Sequence, residues 1–414
     1  MLPGAVMQLL EAAAEVGRRV DRELFLAGGA VRDVLLGRPT EDIDLVVAPS
    51  AEPLVEALAQ ALDASVESES RFRTWRLALA NGRRLDIAEA RRETYSAPGA
   101  LPTTVPATLE ADLGRRDFSI NAMAVALGPT WSGPIDPHDG ARDLAAGKLR
   151  TLHPTSFKDD PSRVLRGLEL GQRFGFEFDR STGEAARRTL ADGGLQTLSP
   201  ARFRTAWRRS FGRLVERGRP ALVAGLETAQ NLGLLRALGV NLGPLMLSAA
   251  DRLARRAKSE SSDRVENSHL LIRALARDDV QVARRMATLW SAQEDVRASW
   301  ASFAAKAESL RGKASELERP SQVAAALEGF DSEEMAVLDL LVNPDIDALL
   351  ATYRQQVEPL RLTVAGRDLI ARGYTPGPEI GAALEALREA RLDGLITADE
   401  ELEYACARLS PPST

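Results

Sequence analysis

The chain has 414 residues, 44% hydrophobic and 27% charged, with a formal net charge of -6. That length is too great for one compact core and predicts two or more domains, no run approaches the roughly 18 apolar residues that cross a bilayer, and the acidic balance confines any nucleic-acid surface to a local patch. The single cysteine, Cys406, excludes an intrachain disulfide, and with His138, His153 and His269 it makes no zinc-type spacing. The start, Met-Leu-Pro-Gly followed by Glu11 and Glu15, does not look like a secretory signal, so a reducing cytoplasm is the expected setting.

In chain order, the first strong pattern is LFLAGGAVRDVLLGRPTEDIDLVV, Leu24 to Val47. A short apolar strand runs into Gly28-Gly29 and then a helical segment. Glycines at such a turn let backbone N–H groups approach an anion, the helix terminus favours it, and Arg32 stands within reach one turn on. Plain turn chemistry would use the same residues. Next, EDIDLVVA is a strand, and Asp42 and Asp44 at alternate positions share one face of it. Two carboxylates side by side are costly unless a cation joins them, and Mg²⁺ suits one or two carboxylates with phosphate oxygens. RFRTWRLALANGRRLDIAEA predicts a hairpin turning at Asn81-Gly82. Its second strand carries Asp86, a candidate third carboxylate, or a surface acid.

SAPGALPTTVPATLE, rich in Pro, Thr and small residues, is expected to be a mobile loop. INAMAVAL is a strand or a buried helix. After about residue 150 strand signals fade, and Ala/Leu/Arg/Glu segments such as GEAARRTLADGG and ALVAGLETAQNLGLLRALG predict helices stopped by glycine. AKSESSDRVENS and ERPSQVAA mark further boundaries. The expected class is α+β. A head with a small mixed sheet (1–150) precedes an all-helical neck (151–215), body (216–305) and tail (306–414).

Three more segments join the first: RRDFSINAMA (Arg115 to Ala124), DPHDGARDLAAGKLR (Asp136 to Arg150) and DDPSRVLRGLELGQRFGF (Asp159 to Phe176). In this order the four resemble the class II tRNA nucleotidyltransferase and bacterial poly(A) polymerase family, densely over about residues 24–210. The resemblance returns in AGRDLIARGYTPGPEIGAALEALREARLDGLIT near the end. It implies transfer of a nucleotide from CTP or ATP to an RNA 3′-hydroxyl, by in-line attack on the α-phosphate with two metal ions. Asp42 and Asp44 match the metal-binding pair, with Mg²⁺ the expected ion and Asp86 beside them. Gly28, Gly29 and Arg32 match the triphosphate turn. Arg116, Asp117 and Asn121 match the sugar-holding segment.

Asp160 and Arg163 match the base-reading pair, and Arg166 continues that face. A carboxylate accepts and a guanidinium donates, which suits the amino-and-acceptor edges of cytosine and adenine and penalises uracil and guanine. Residues i and i+3 share a helix face. The plainer alternative is a helix start, Asp-Asp-Pro, with a surface arginine. Arg202, Arg204, Arg208 and Arg209, followed by Arg213, form either a phosphate-facing RNA stripe or a solvated face. The chain departs from the family pattern at Asp159, Glu169 and Trp207, where Glu, Arg and Glu are usual.

Within the family, the full-length segment from Tyr95 to Leu113 argues against CC-only addition. The absence of a basic extension in ACARLSPPST argues against poly(A) synthesis. The expected activity is CCA addition to tRNA from CTP and ATP, with A-only addition next. An RNA-binding protein without catalysis, or an enzyme acting on a small molecule, are the alternatives from other classes. No protein partner is indicated.

Overall fold

In a computed structural model the described residues are 4–40, 43–48, 50–80, 82–128, 133–240, 244–259, 264–276, 279–341 and 343–410. Two compact units emerge: Met1–Leu214 with Ala224–Gly239, and Val215–Val223 with Val240–Thr414. The boundary expected at 215/216 falls where the chain passes between them, while those at 150/151 and 305/306 lie inside a unit.

The first unit runs α1 (Gly4–Arg19), β1 (Glu23–Ala27), α2 (Gly29–Leu35), β2 (Asp44–Ala48), α3 (Glu52–Ala61), β3 (Ala64–Ser70), β4 (Thr74–Leu79), β5 (Arg84–Glu89), β6 (Arg91–Thr94) and β7 (Thr103–Pro106). It continues with α4 (Leu109–Gly114), β8 (Ala124–Ala126), α5 (Gly140–Ala145), β9 (Lys148–Leu149), α6 (Ser156–Asp159), α7 (Ser162–Phe174), β10 (Glu177–Phe178), α8 (Arg180–Ala191) and α9 (Pro200–Trp207). Six strands form one sheet in the order β3-β4-β5-β2-β1-β8. Only β2 and β5 are parallel within it, which makes the sheet mixed as expected. The apolar runs of β1 and β2 are buried: Leu24, Leu26, Leu45, Val46 and Val47 are each at most 2% exposed. Such near-continuous apolar runs suit strands in the interior of a sheet.

The expected hairpin is present, with Leu77 opposite Leu85 and Gly82 at φ 79; Asn81 lies outside the described residues. INAMAVAL divides into a 3₁₀ turn, Ser119–Asn121, and the short strand β8. The segment expected as a mobile loop is corrected in part. Its Thr103–Pro106 stretch pairs with β6, Arg91 opposite Pro106 and Thr94 opposite Thr103, because β6 offers an open edge. Helices dominate afterwards, apart from the two-residue parallel pair β9–β10. α7 buries Val164, Leu165 and Leu168 and stops at Gly175 in the left-handed conformation, φ 74. Ser199 caps α9 by accepting from the Arg202 amide. Past α9 the backbone widens into a π turn, Arg208–Gly212, over which Trp207 stacks on Phe211 at 4.1 Å.

The described residues of the second unit are helical, with longer helices at Pro244–Ser259, Glu294–Lys313 and Pro378–Leu392. Inside it, Arg252 clasps Asp347 through two bonds of 2.6 Å and the His269 ring stacks on Trp290 at 4.8 Å. Near its end Leu369, Ile380, Leu387 and Ala405 make a small core of their own. No described helix is long and apolar enough to cross a membrane.

Candidate active site

β1 delivers the chain to Gly28, whose φ of 75 suits only glycine without strain. A Cβ there would lie 2.5 Å from Arg116 Nη1, and one on Gly29 would lie 3.3 Å from Arg32 Nη2. The glycine pair therefore makes room for two guanidinium heads as well as for backbone N–H groups. Arg32 is 4% exposed. It donates to Asp33 Oδ1 at 2.9 Å and to Asn121 Oδ1 at 2.6 Å, and lies over the Phe174 ring at 4.5 Å. Burial lowers its pKa, and Asp33 works against that shift. Arg32 was expected to reach an anion directly. It lines the cleft, but with donors already engaged.

From Arg32 a polar chain runs inward. Asn121 accepts from Arg32 and donates through Nδ2 to Asp117 Oδ1 at 2.9 Å, while the Phe118 amide donates to the same oxygen at 2.8 Å. Asp117 also pairs with Arg166. Burial by itself would raise the Asp117 carboxyl, but Arg166 and Asn121 outweigh it and hold the group below the usual carboxylate range. Asp117 in turn raises Arg166.

A second clasp centres on fully buried Asp112, which takes Arg115 Nη2 at 2.6 Å and Arg116 Nη2 at 2.9 Å. Here too burial would raise the carboxyl, and Arg116 and Arg115 together hold it low. Both acids have folded pKa values below the unfolded one of about 3.9. Their contribution to stability is full above that value. It is lost as pH falls through the folded pKa values, because the unfolded chain takes up protons first. We expect the guanidinium-chloride midpoint to fall from pH 4 toward pH 2, and Asp112→Asn to reduce that slope. Equal slopes in the two proteins would count against the clasp.

β2 and β5 set the carboxylates. Asp44, the exposed first residue of β2, stands directly opposite Asp86 in the parallel register. Asp42 lies outside the described residues. Arg76 holds Asp86 by two bonds of 2.7 Å, so Asp86 is an acid already neutralised by a neighbour. Asp44 and Asp86 line a cleft of about 1240 Å³ together with Arg32, Arg166, Arg173, Arg209, Arg213, Asp160 and Arg202. Among the described residues no group of three or more His, Cys, Asp or Glu side chains is arranged to hold a metal ion.

Asp160 and Arg163 do not share a face. The same-face expectation requires both to be helical. α6 ends at Asp159, Asp160 is extended (φ -138, ψ 92), and α7 begins only at Ser162. Asp160 accordingly lines the large cleft. Arg163 is 7% exposed and lines a separate recess of about 330 Å³ beside Tyr95, His153 and Asp159. There its guanidinium donates to Ser156 Oγ at 2.6 Å and to the Arg115 carbonyl at 2.7 Å.

Comparison with known proteins bears on this geometry. Residues 24–150 match the poly A polymerase head domain family. The A-adding tRNA nucleotidyltransferase of Halalkalibacterium halodurans is 41% identical over 200 residues, 48% of this chain and 47% of that protein. The sequence matches span about half, or less, of the length of the curated relatives. Among solved structures, a CCA-adding enzyme in an apo form superposes with a TM-score of 0.81 at 27% identity, covering 98% of this chain and 96% of that one. The Thermotoga maritima CCA-adding enzyme complexed with tRNA gives 0.74 at 25% identity, covering 98% and 96%. The chain is thus similar to tRNA nucleotidyltransferases, in sequence over about its first half and in fold over nearly its whole length.

In this chain, the arginines expected as one RNA-facing stripe divide by helical phase. Arg202 and Arg209, seven residues apart, line the cleft, as does Arg213, whereas Arg204 and Arg208, four apart, are half-buried on another face. Desolvation, with Arg166 and Arg213 nearby, lowers Arg209. Arg202 is no free phosphate ligand: it bonds Asp160 and the carbonyls of Gly99 and Ala100. The departures also acquire partners. Glu169, 6% exposed, pairs with Arg213 at 3.3 Å. Trp207, fully buried between Phe203 and Phe211, fills with stacked rings a place where a carboxylate would need a partner. Sequence reasoning missed Arg76, Asp112, Asp33 and Arg173. Arg76, Asp33 and Arg173 are unremarkable charges in their own segments and gain meaning from a partner brought by folding, as Arg173 does from Asp33 at 3.3 Å, whereas Asp112 pairs with Arg115 and Arg116 at a local i,i+3 and i,i+4 spacing that could have been found.

Proposed function

We propose that this protein is a template-independent tRNA nucleotidyltransferase that builds CCA on the tRNA 3′ end from CTP and ATP. The observation that carries the reading is one cleft whose lining includes Asp44, Asp86, Arg166, Arg173, Arg209 and Asp160. Together these supply carboxylates for a cation, guanidinium groups for a triphosphate and an acceptor for a base.

Asp42 and Asp44 are the residues that would hold a divalent cation. The donor set fits: Asp44 offers exposed hard oxygens at the cleft, while Asp86 beside it is held by Arg76. Bound there, Mg²⁺ supplies charge neutralisation of the triphosphate and a more acidic attacking hydroxyl. Arg166, kept charged by Asp117, and Arg209 bind phosphate oxygens. The Gly28-Gly29 turn leaves room for close approach, and Asn121 and Asp117 hold Arg32 and Arg166 in place. Asp160 accepts from the exocyclic amino group of cytosine or adenine, while uracil and guanine turn a carbonyl toward it and are repelled. Arg163 was expected as the donor half of this pair. Its donors are given to Ser156 and Arg115, so selection rests on Asp160 in the state described.

A-only addition is the second reading, favoured by the name of the 41% identical relative. Purified protein with Mg²⁺ and tRNA transcripts ending at the discriminator base, after one C or after CC separates the two. CTP and ATP are given singly and together. Stepwise growth to CCA with a stop is the expected result. Extension of only the CC-ended transcript by one A would make it an A-adding enzyme, a long A ladder a poly(A) polymerase, and no extension an RNA-binding protein.

A further inference from the structure

We propose that Phe174 is a positioning residue: its ring gathers Arg32, Arg38 and Arg173 into one cationic cluster that takes a polyphosphate, the triphosphate before transfer and pyrophosphate after it. The inference rests on the reading of the cleft as a triphosphate site, and adds Arg38 and the ring to it. The guanidinium carbons of Arg32, Arg173 and Arg38 lie 4.5, 4.8 and 4.9 Å from the Phe174 ring centre. The electron-rich face of an aromatic ring attracts a guanidinium, more strongly where water is excluded. Arg32 is buried, Phe174 is half-buried and Arg38 is exposed.

Backbone geometry fixes the two helix ends that meet there. α2 closes in a Schellman turn: Gly37, at φ 66, donates to the Val34 carbonyl at 3.0 Å, and the Arg38 amide donates to the Asp33 carbonyl at 2.8 Å. α7 closes in the same manner at Gly175, with the Phe176 amide on the Gly171 carbonyl at 2.9 Å. The Phe176 ring then lies 5.5 Å from that of Phe174. Arg38 reaches across and donates to the Arg173 carbonyl at 3.4 Å, in the last turn of α7, where a helix favours positive charge.

The charges do not balance. Asp33, 5% exposed, gives Oδ1 to Arg32 at 2.9 Å and Oδ2 to Arg173 at 3.3 Å. Among the described residues no acid pairs with Arg38, so three guanidinium groups face one carboxylate. Such groups repel one another, and the ring is what they share. Arg32, Asp33 and Arg173 line the same cleft as Asp44, and Arg38 directly precedes Pro39 and Thr40 on that lining. A polyphosphate concentrates several negative charges in one small group, whereas an RNA strand carries one per nucleotide, so the surplus suits the former. Leucine at 174 would fill space without offering a face to any of the three.

The test compares wild type, Phe174→Tyr, Phe174→Leu, Arg38→Gln and the variant carrying both Phe174→Leu and Arg38→Gln. Binding of inorganic pyrophosphate to the nucleotide-free protein is measured by calorimetry in EDTA, so that guanidinium groups and no metal ion hold the probe. Thermal melts and extension of a CC-ended transcript accompany it. Phe174→Leu and Arg38→Gln are each expected to weaken pyrophosphate by about five-fold, and Phe174→Tyr, which keeps the ring, by less than about two-fold. The double variant should lose less than the product of the two, because leucine has already released Arg38. The KM for ATP should rise with the pyrophosphate Kd, and the KM for the transcript should not. If Phe174→Leu lowers only the melting temperature, the ring is packing and the proposal is overturned. Losses that multiply in the double variant overturn the shared cluster, and a rise confined to the KM for the transcript overturns the ligand. Should Phe174→Leu fail to fold, the exposed substitution Arg38→Gln still decides, since wild-type affinity for pyrophosphate there overturns the proposal. If wild type extends no transcript, the functional reading fails, while pyrophosphate binding still judges the cluster.

Discussion

Asp44→Asn is expected to lower nucleotide incorporation by about a thousand-fold, equivalent to about 4 kcal/mol of barrier, while leaving the folded state as stable as wild type. Asparagine keeps the volume of the side chain and the strand. It takes away the charge that a hard divalent cation needs from its ligand. Asp44 is exposed at the first position of β2, so no packing is lost. Single-turnover extension of a CC-ended transcript, beside a thermal melt, checks both halves. A loss under ten-fold would mean that the cleft does not use Asp44 to bind a metal. Asp86→Asn is the informative contrast. Because Arg76 already takes both Asp86 oxygens at 2.7 Å, its loss should be smaller than that of Asp44→Asn.

Asp117→Ala is expected to destabilise the first unit by about 2–6 kcal/mol, since two donors are left without an acceptor at about 1–3 kcal/mol each. The Phe118 amide and Asn121 Nδ2 both end on Asp117 Oδ1, and Asn121 then orients Arg32. Arg166 adds less to the loss. Its side chain is 54% exposed and can turn to water when its partner is removed. Urea unfolding of the variant measures the cost, and Asp117→Asn, which retains an acceptor oxygen, should recover part of it. A variant as stable as wild type would mean that the polar chain from Arg32 to Arg166 carries no stability. Activity should fall further than stability explains, because Arg166 then loses the carboxylate that fixes it in the cleft.

Much of the site was legible from local signals. A strand, two glycines and a helix at Leu24–Leu35, alternating acids before Leu45 and an Asn-Gly turn are short-range patterns, and each depends on residues within about one turn of each other. The pairing of Asp44 with Asp86 followed once both segments were strands, though the parallel register itself depends on the crossover. The Asp160–Arg163 face failed for a local reason that spacing does not reveal. Pro161 sits at the helix start, so the chain turns between the two residues and i,i+3 counting does not apply. The arginines of 202–209 looked alike as a run, and only helical phase separated those on the cleft from those away from it.

The sequence by itself determined the α+β head with a helical remainder, the glycine turn, the acid that opens β2 and the resemblance to a family, because periodicity, turn residues and motif order are written in neighbouring positions. Only the tertiary structure decided which acids are already spent on guanidinium groups, such as Asp86 on Arg76 and Asp33 on Arg173. It also decided that Arg163 turns away from the cleft while Arg202 turns toward Asp160. The physical reason is distance along the chain. Arg202 reaches a carbonyl 103 residues away and Arg32 an amide oxygen 89 residues away. A charge whose partner is brought by folding has no local signature, and its role is set by whichever buried acceptor most needs a donor.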